Sequence, residues 1–251
     1  ELVALCEKSK FGDLKTQTTI LDESVRKAYE ISREKLSLTN ETLVELDCIK
    51  NKISEKLYGG RKISFALNKL NAYTEGGHFD THVDTPKDKM IGTLLIELPY
   101  EYTGGNFKLG KSKVETKNKW FAFYADTPHS ISPIESGCRV SVTFYILLDE
   151  NDPGEYIKKN LITPPLTKKI GDMLLDKLNE YSWSEIGILL SHHYSDFEGK
   201  KFIYKGADRM LMDYLKNPTI YAKYNSPVEI RTHYDGTSYT VQKKFAPEFS
   251  K

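Results

Sequence analysis

The sequence is poor in cysteine: only Cys6, Cys48 and Cys138 occur among 251 residues. The count is odd and no pair has the short spacing of a zinc knuckle, so neither a disulfide framework nor a cysteine-based metal centre is expected. Scarce cysteine also fits a reducing compartment, cytoplasmic or nuclear. Long apolar runs are missing as well. None approaches the roughly 20 residues of a membrane-crossing helix, so no membrane partner is expected. An excess of one charge is lacking too. The 36 Lys and Arg residues against 35 Asp and Glu leave a formal charge of +1. That balance gives no support to a strongly basic nucleic-acid binder or an acidic tail. There is no internal repeat and no low-complexity segment. The first residue is Glu1 rather than Met, which reads as a processed or trimmed start.

What is present describes a globular chain. Hydrophobic residues make up 39% and charged residues 28%, enough of the first to build a core. At about 150 residues per domain, the length allows one large domain or two small ones. Residues 21–58 read as two helices. The second is the better defined: Leu43, Leu46, Ile49, Ile53 and Leu57 recur on one face, Thr39 and Asn40 can cap its start, and Gly59-Gly60 ends it. Residues 63–74 read as extended. From 78 to 148 the pattern changes to short β-branched and aromatic runs split by Gly and Pro: 91–98, 105–109, 119–125, 129–134 and 138–148. Such density suggests a sandwich or barrel. Asp152-Pro153-Gly154 closes this block as a turn. Beyond it come a helix near 166–181, a strand near 185–191, a helix near 205–216 and a strand near 227–233. These belong either to a small α+β appendage or to an extension of the same sheet.

The chemistry concentrates in Tyr73-Thr74-Glu75-Gly76-Gly77-His78-Phe79-Asp80-Thr81-His82-Val83-Asp84. Side chains two apart on an extended segment share a face, so His82 and Asp84 can converge on one point. An imidazole and a carboxylate suit a divalent first-row metal. With His129 as a third ligand the set becomes two His and one carboxylate, the arrangement of non-haem Fe(II) oxygenases. Ten residues beyond His129 lies Arg139. It shares one strand face with Ser141, Thr143 and Tyr145, while Val140, Val142, Phe144 and Ile146 share the other. The apolar face should pack on a core under the N-terminal helices, and the arginine-led face should look into a polar cavity. A buried arginine needs an anion, and a dicarboxylate co-substrate would supply one. Simpler readings exist for each residue. Asp84 can start a turn with Thr85-Pro86, His129 can be a satisfied core histidine, and Arg139 can pair with Glu135 at the surface. The conjunction favours the metal. His78 reads as a loop residue, His192, His193 and His233 as surface or appendage residues, and Cys138 as a small core residue.

These residues resemble the Fe(II)- and 2-oxoglutarate-dependent dioxygenases, and within them the prolyl 4-hydroxylase-like branch. The resemblance rests on Tyr73-x-x-Gly76, His82-Val83-Asp84-Thr85-Pro86, Gly104-Gly105-Asn106-Phe107, and His129 followed by Pro133, Gly137 and Arg139. It implies an α+β, mainly β fold: a double-stranded β-helix (jelly roll) with N-terminal supporting helices over residues 1–150; residues 151–251 lie outside the resemblance and are read as a C-terminal α+β extension of unknown role. It implies that His82, Asp84 and His129 bind Fe(II) and that Arg139 pairs with the far carboxylate of 2-oxoglutarate. Tyr73 would donate a hydrogen bond to the same co-substrate, with Ser141 and Thr93 as further contacts. Ascorbate is a candidate reductant. Two departures narrow the branch. The run Arg139-Val140-Ser141-Val142-Thr143 lacks the Asn of the nucleic-acid demethylase pattern, and H-x-D replaces the H-x-E of the histone demethylases. The expected activity is hydroxylation of a prolyl residue in a protein or peptide, with 2-oxoglutarate and O2 consumed and succinate and CO2 released. The alternatives are a hydroxylase of another amino acid, a small molecule or nucleic acid, and a catalytically silent binding module of the same fold. Segments 75–92 and 100–119 are read as the loops that select substrate, the second carrying Lys108, Lys111, Lys113, Lys117 and Lys119. The tyrosines of the last hundred residues are candidates to line a peptide groove.

Overall fold

The computed structural model describes residues 2–13, 18–85, 87–117, 119–149, 165–180, 185–188, 190–192, 204–215, 228–231 and 239–243. The chain divides into two units, Glu1–Tyr156 and Ile157–Lys251.

The first unit opens with strands β1 (Glu7–Lys8), β2 (Phe11–Asp13), β3 (Thr18–Ile20), β4 (Arg26–Lys27) and β5 (Tyr29–Ser32), followed by helix α1 (Asn40–Tyr58). Then come β6 (Ile63–Tyr73), β7 (His78–His82), β8 (Met90–Glu97), β9 (Tyr102–Gly104) and β10 (Phe107–Leu109). The series ends with β11 (Ser112–Val114), β12 (Trp120–Tyr124), β13 (His129–Ile131), β14 (Ile134–Gly137) and β15 (Arg139–Leu148). A six-stranded sheet has the order β1-β5-β6-β15-β8-β12, and a five-stranded sheet the order β11-β10-β13-β7-β4. From β6 onward the chain passes back and forth between them: β6, β8, β12 and β15 lie in the larger sheet, and β7, β10, β11 and β13 in the smaller. All these ladders are antiparallel. This alternation is the jelly roll.

Tyr73, Leu95 and Phe123 of the larger sheet and Phe79, Phe107 and Ile131 of the smaller form one buried cluster between the sheets. Each such fully buried apolar side chain contributes about 1.5–3 kcal/mol. The outer face of the larger sheet is covered as well. Leu70, Ala72 and Val140 pack with Ile31 under Leu2, Val3 and Leu36. Buried on both faces, β15 has almost no exposed position, which explains its unbroken apolar and small-polar run.

Helix α1 follows its sequence signals. The Thr39 hydroxyl accepts from the Thr42 N–H, and Gly59 closes the helix in the left-handed region at φ 66°. Leu46, Ile53 and Tyr58 are its buried residues. Leu43 is 48% exposed, so the first turn overhangs the sheet and the apolar face begins at Leu46. The Tyr58 hydroxyl donates to the Ile91 carbonyl at 3.2 Å, and the Tyr124 hydroxyl donates to the Leu57 carbonyl at 2.7 Å. These bonds tie the helix end to β8 and β12.

The expected helix before α1 does not form. Asp22 accepts the Ser24 N–H through its side chain at 2.9 Å and the Val25 and Arg26 N–H groups through its carbonyl, making a turn where a helix would start. The following residues enter sheets instead: β4 beside β7, and β5 beside β6. Segments 75–92 and 100–119 are also more ordered than loops, since they contain β7 and β9, β10 and β11.

The second unit contains α2 (Pro165–Glu180), β16 (Glu185–Ile188), α3 (Gly206–Leu215), β17 (Val228–Arg231) and β18 (Tyr239–Lys243). The strands form their own antiparallel sheet in the order β16-β18-β17. Among the described residues these three strands pair with one another, and central β18 is the strand the sequence pattern did not reveal. The Tyr214 hydroxyl of α3 donates to Asp172 of α2 at 2.5 Å, and Leu175, Met212 and Leu215 are buried. Among the described residues, no helix is long and apolar enough to cross a membrane.

Candidate metal centre

The site is built on β7 and β13. His82 and His129 are cross-strand partners, and Phe79 pairs with Ile131, so Asp80 and Thr81 together oppose the single residue Ser130. This bulge breaks the two-residue alternation of β7. It brings Phe79 and His82 to the same side, with stacked rings 3.5 Å between centroids. The His82 and His129 rings lie 4.2 Å apart. Asp84 follows two residues after His82, its N–H donating to the Ala125 carbonyl at 3.1 Å.

His82, Asp84 and His129 offer ligand atoms that all lie within 4.8 Å of one another, a group that could hold a metal ion. His129 Nε2 lies 3.9 Å from Asp84 Oδ1. Both imidazoles are oriented by the backbone two residues earlier: His82 Nδ1 bonds the Asp80 carbonyl at 2.8 Å, and His129 Nδ1 bonds the Thr127 carbonyl at 2.9 Å. With Nδ1–H donating, each Nε2 keeps its lone pair for a cation. Burial, and then the neighbouring His129, push the His82 pKa down to about 3. The imidazole is therefore neutral, the form that coordinates. Burial raises the Asp84 carboxyl above its ordinary value, against the opposing pull of His129 and of Thr93. The Thr93 hydroxyl donates to Asp84 Oδ2 at 2.6 Å. Thr93, expected as a co-substrate contact, thus orients a cluster carboxylate. Phe123 and Phe107 flank His129 at 4.7 and 5.8 Å between centroids, so one wall of the site is apolar.

Arg139 and Tyr73 are direct partners in the β15/β6 ladder, and Ser141 stands between Asn71 and Glu97. Directly opposed residues share a face. That face carries Tyr73 and Leu95 and so points between the sheets, as expected for the arginine-led side of β15. Arg139 is wholly buried, which excludes the surface pairing with Glu135. Its partner is Glu97: Nη2 lies 2.9 Å from Glu97 Oε2, and both side chains are 0% exposed. Nη2 also reaches the Thr116 hydroxyl at 3.4 Å, whereas Nε and Nη1 have no hydrogen-bond partner among the described residues.

Glu97, Thr116 and Tyr102 were not singled out from the sequence. The signal for Glu97 was present, because Thr93, Leu95 and Glu97 alternate on β8 and an acidic residue in phase with an inward leucine must itself point inward. Arg26 was also missed. It is buried, donates to Asn71 Oδ1 at 2.7 Å and the Lys10 carbonyl at 2.8 Å, and lies 4.5 Å over the Phe79 ring.

Other sequence candidates fall away from the cluster. His78 bonds the Gly76 and Ser24 carbonyls, each at 3.1 Å. The N–H of His192 donates to Asp208, while His193 and His233 lie outside the described residues. Lys108, Lys111, Lys113 and Lys119 are exposed, and Lys117 pairs with Glu101 at 2.7 Å. Tyr204 and Tyr214 are buried rather than groove-lining. Tyr181, Tyr194, Tyr221, Tyr224 and Tyr234 lie outside the described residues, as does the side chain of Tyr239.

Residues 68–147 match the 2OG-Fe(II) oxygenase superfamily. No curated protein matches the chain. Among solved structures, the chain is similar to a prolyl-4-hydroxylase of Pseudomonas putida, with 18% identity, 51% of this chain and 75% of that one covered, and a TM-score of 0.41. A viral collagen prolyl hydroxylase from Paramecium Bursaria Chlorella virus-1 shows 17% identity over 50% of this chain and 81% of that one, with a TM-score of 0.41. A Trichoplax adhaerens prolyl hydroxylase, in complex with a hypoxia inducible factor peptide fragment, shows 18% identity over 57% of this chain and 70% of that one, with a TM-score of 0.44. The matched segment contains His82, Asp84, His129 and Arg139, and the matching family is the one that the motifs resemble.

Proposed function

We propose that the first unit is a 2-oxoglutarate-dependent dioxygenase that hydroxylates a prolyl residue of a protein or peptide, releasing succinate and CO2. The observation that carries this reading is the convergence of His82, Asp84 and His129 within 4.8 Å. The donor set fits the group. Two imidazoles and one carboxylate suit Fe(II) and leave coordination positions for other ligands. The buried, unpaired Nε and Nη1 of Arg139 fit a carboxylate that reaches the space between the sheets.

When bound, Fe(II) with 2-oxoglutarate and O2 supplies the oxidising chemistry. The residues of the chain supply geometry. The Asp80 and Thr127 carbonyls fix the two imidazoles, and Thr93 fixes Asp84. Arg139 and Tyr73 position 2-oxoglutarate from adjacent strands, with Ser141 beside them. Phe79, Phe107 and Phe123 keep water from one side of the cluster. The prolyl assignment rests on the motif set Tyr73-x-x-Gly76, His82-Val83-Asp84-Thr85-Pro86 and His129 to Arg139. Ascorbate would serve as an auxiliary reductant.

Succinate formation by the Fe(II)-loaded protein, assayed with proline-containing peptides, nucleotides and small metabolites, tests the reading. Peptide-dependent succinate with a mass gain of one oxygen on proline is expected. Stimulation by nucleotides or metabolites alone would move the activity to those substrates. No turnover with any of them, and none without substrate, would favour a silent binding module.

A further inference from the structure

Among the described residues, Glu97 makes the one ion pair of the Arg139 guanidinium, and it is held firmly. Its Oε1 accepts from the Tyr102 hydroxyl at 2.6 Å, and its Oε2 accepts from the Thr116 hydroxyl at 2.7 Å and pairs with Arg139 Nη2 at 2.9 Å. Three donors converge on a carboxylate that is itself wholly buried. The ion pair carries no net charge, and among the described residues two guanidinium nitrogens have no acceptor.

A second carboxylate arriving at Arg139 would gain those two donors. It would also place a negative charge close to the buried Glu97, where like charges repel strongly. An uncharged acceptor of the same shape would gain the donors without the repulsion. The inner face of the sheet thus recognises the polar end of a 2-oxo acid while penalising its charge.

We propose that Glu97 is a specificity-determining residue for the co-substrate: it neutralises Arg139 and lowers the preference for a dianionic 2-oxo acid over one with an uncharged far end. This rests on the reading that Arg139 anchors the far end of the co-substrate. Glu97 acts through Arg139 and is a positioning residue rather than a catalytic one.

The test is calorimetric binding of 2-oxoglutarate and of its 5-amide, 2-oxoglutaramate, to the full chain loaded with Mn(II). The two ligands share a carbon skeleton, and the amide lacks the far charge and offers one acceptor oxygen where the carboxylate offers two. The wild-type protein should prefer the dianion by less than about tenfold, and a larger preference overturns the proposal without any variant. Glu97→Gln should tighten 2-oxoglutarate by about tenfold or more while leaving the amide within about threefold. Adding Arg139→Gln to Glu97→Gln should remove that gain. Suppose Glu97→Gln binds 2-oxoglutarate no more tightly than the wild type, and the double variant binds it more weakly. Then the Glu97 proposal fails while the anchoring reading stands. If the double variant binds 2-oxoglutarate as tightly as Glu97→Gln, Arg139 is not the anchor and both fail.

Discussion

Arg139 and Glu97 form a wholly buried ion pair, 2.9 Å between Nη2 and Oε2, on adjacent antiparallel strands between the two sheets of the jelly roll. Removing one partner strands the other charge without water. Arg139→Met should therefore cost about 3–5 kcal/mol of stability. The double variant Arg139→Met/Glu97→Met should recover part of that loss, because no buried charge remains, while the Tyr102 and Thr116 hydroxyls lose their acceptor. Urea unfolding of the three proteins measures both quantities. A single variant as stable as the wild type would show that the pair is not desolvated.

Thr93 acts on the cluster from outside it. Thr93→Val deletes the 2.6 Å hydrogen bond to Asp84 Oδ2 while keeping the shape of the side chain. Loss of such a supporting bond typically lowers metal affinity about 10–100-fold. Competition titration of Fe(II) under anaerobic conditions reads the change. Unaltered affinity would mean that Asp84 is oriented by its backbone alone.

The docking of α1 depends on a missing side chain. A Cβ at Gly92 would meet the Tyr58 hydroxyl and the Phe123 carbonyl, so Gly92→Ala must move either the helix end or the β8/β12 ladder. Overpacking of this kind costs about 1–3 kcal/mol. Thermal unfolding should show the loss, with metal binding at saturating Fe(II) unchanged because Gly92 does not touch the cluster.

The metal-free protein should weaken in acid through His82. Its folded pKa is about 3, against an ordinary value of 6.5. Between those limits the unfolded chain takes up a proton that the folded chain does not, so stability falls as pH drops from 6.5 towards 3. Asp84 has the opposite sign. Its pKa is raised, so its contribution is present at low pH and lost as pH rises through the folded value. Comparing wild type with His82→Gln isolates the histidine. Metal-free wild type should lose melting temperature relative to the variant as pH falls from 6.5, and parallel curves would refute the buried neutral imidazole.

Local signals made much of this architecture readable. α1 has a threonine that caps it, a glycine that ends it in the left-handed region, and apolar spacing on one face. β15 alternates between a polar side and an apolar one. The H-x-D pair and the later His129 announce their convergence because residue types, rather than exact geometry, carry that signal. The unreadable parts depend on partners distant in sequence. Residues 26–32 have no strong strand pattern and become strands because β7 and β6 offer open edges. The bulge at Asp80-Thr81 shows only in the pairing with Ser130. Glu97 looks like the polar end of a strand until Arg139, Thr116 and Tyr102 gather around it.

On the proposed reading, His82, Asp84 and His129 together hold one Fe(II). Anaerobic equilibrium dialysis of Fe(II) against wild type and Asp84→Ala tests it most directly. One tightly bound iron per wild-type chain, with none retained by the variant at the same free concentration, is the predicted result. Equal iron binding by the two proteins would contradict the account.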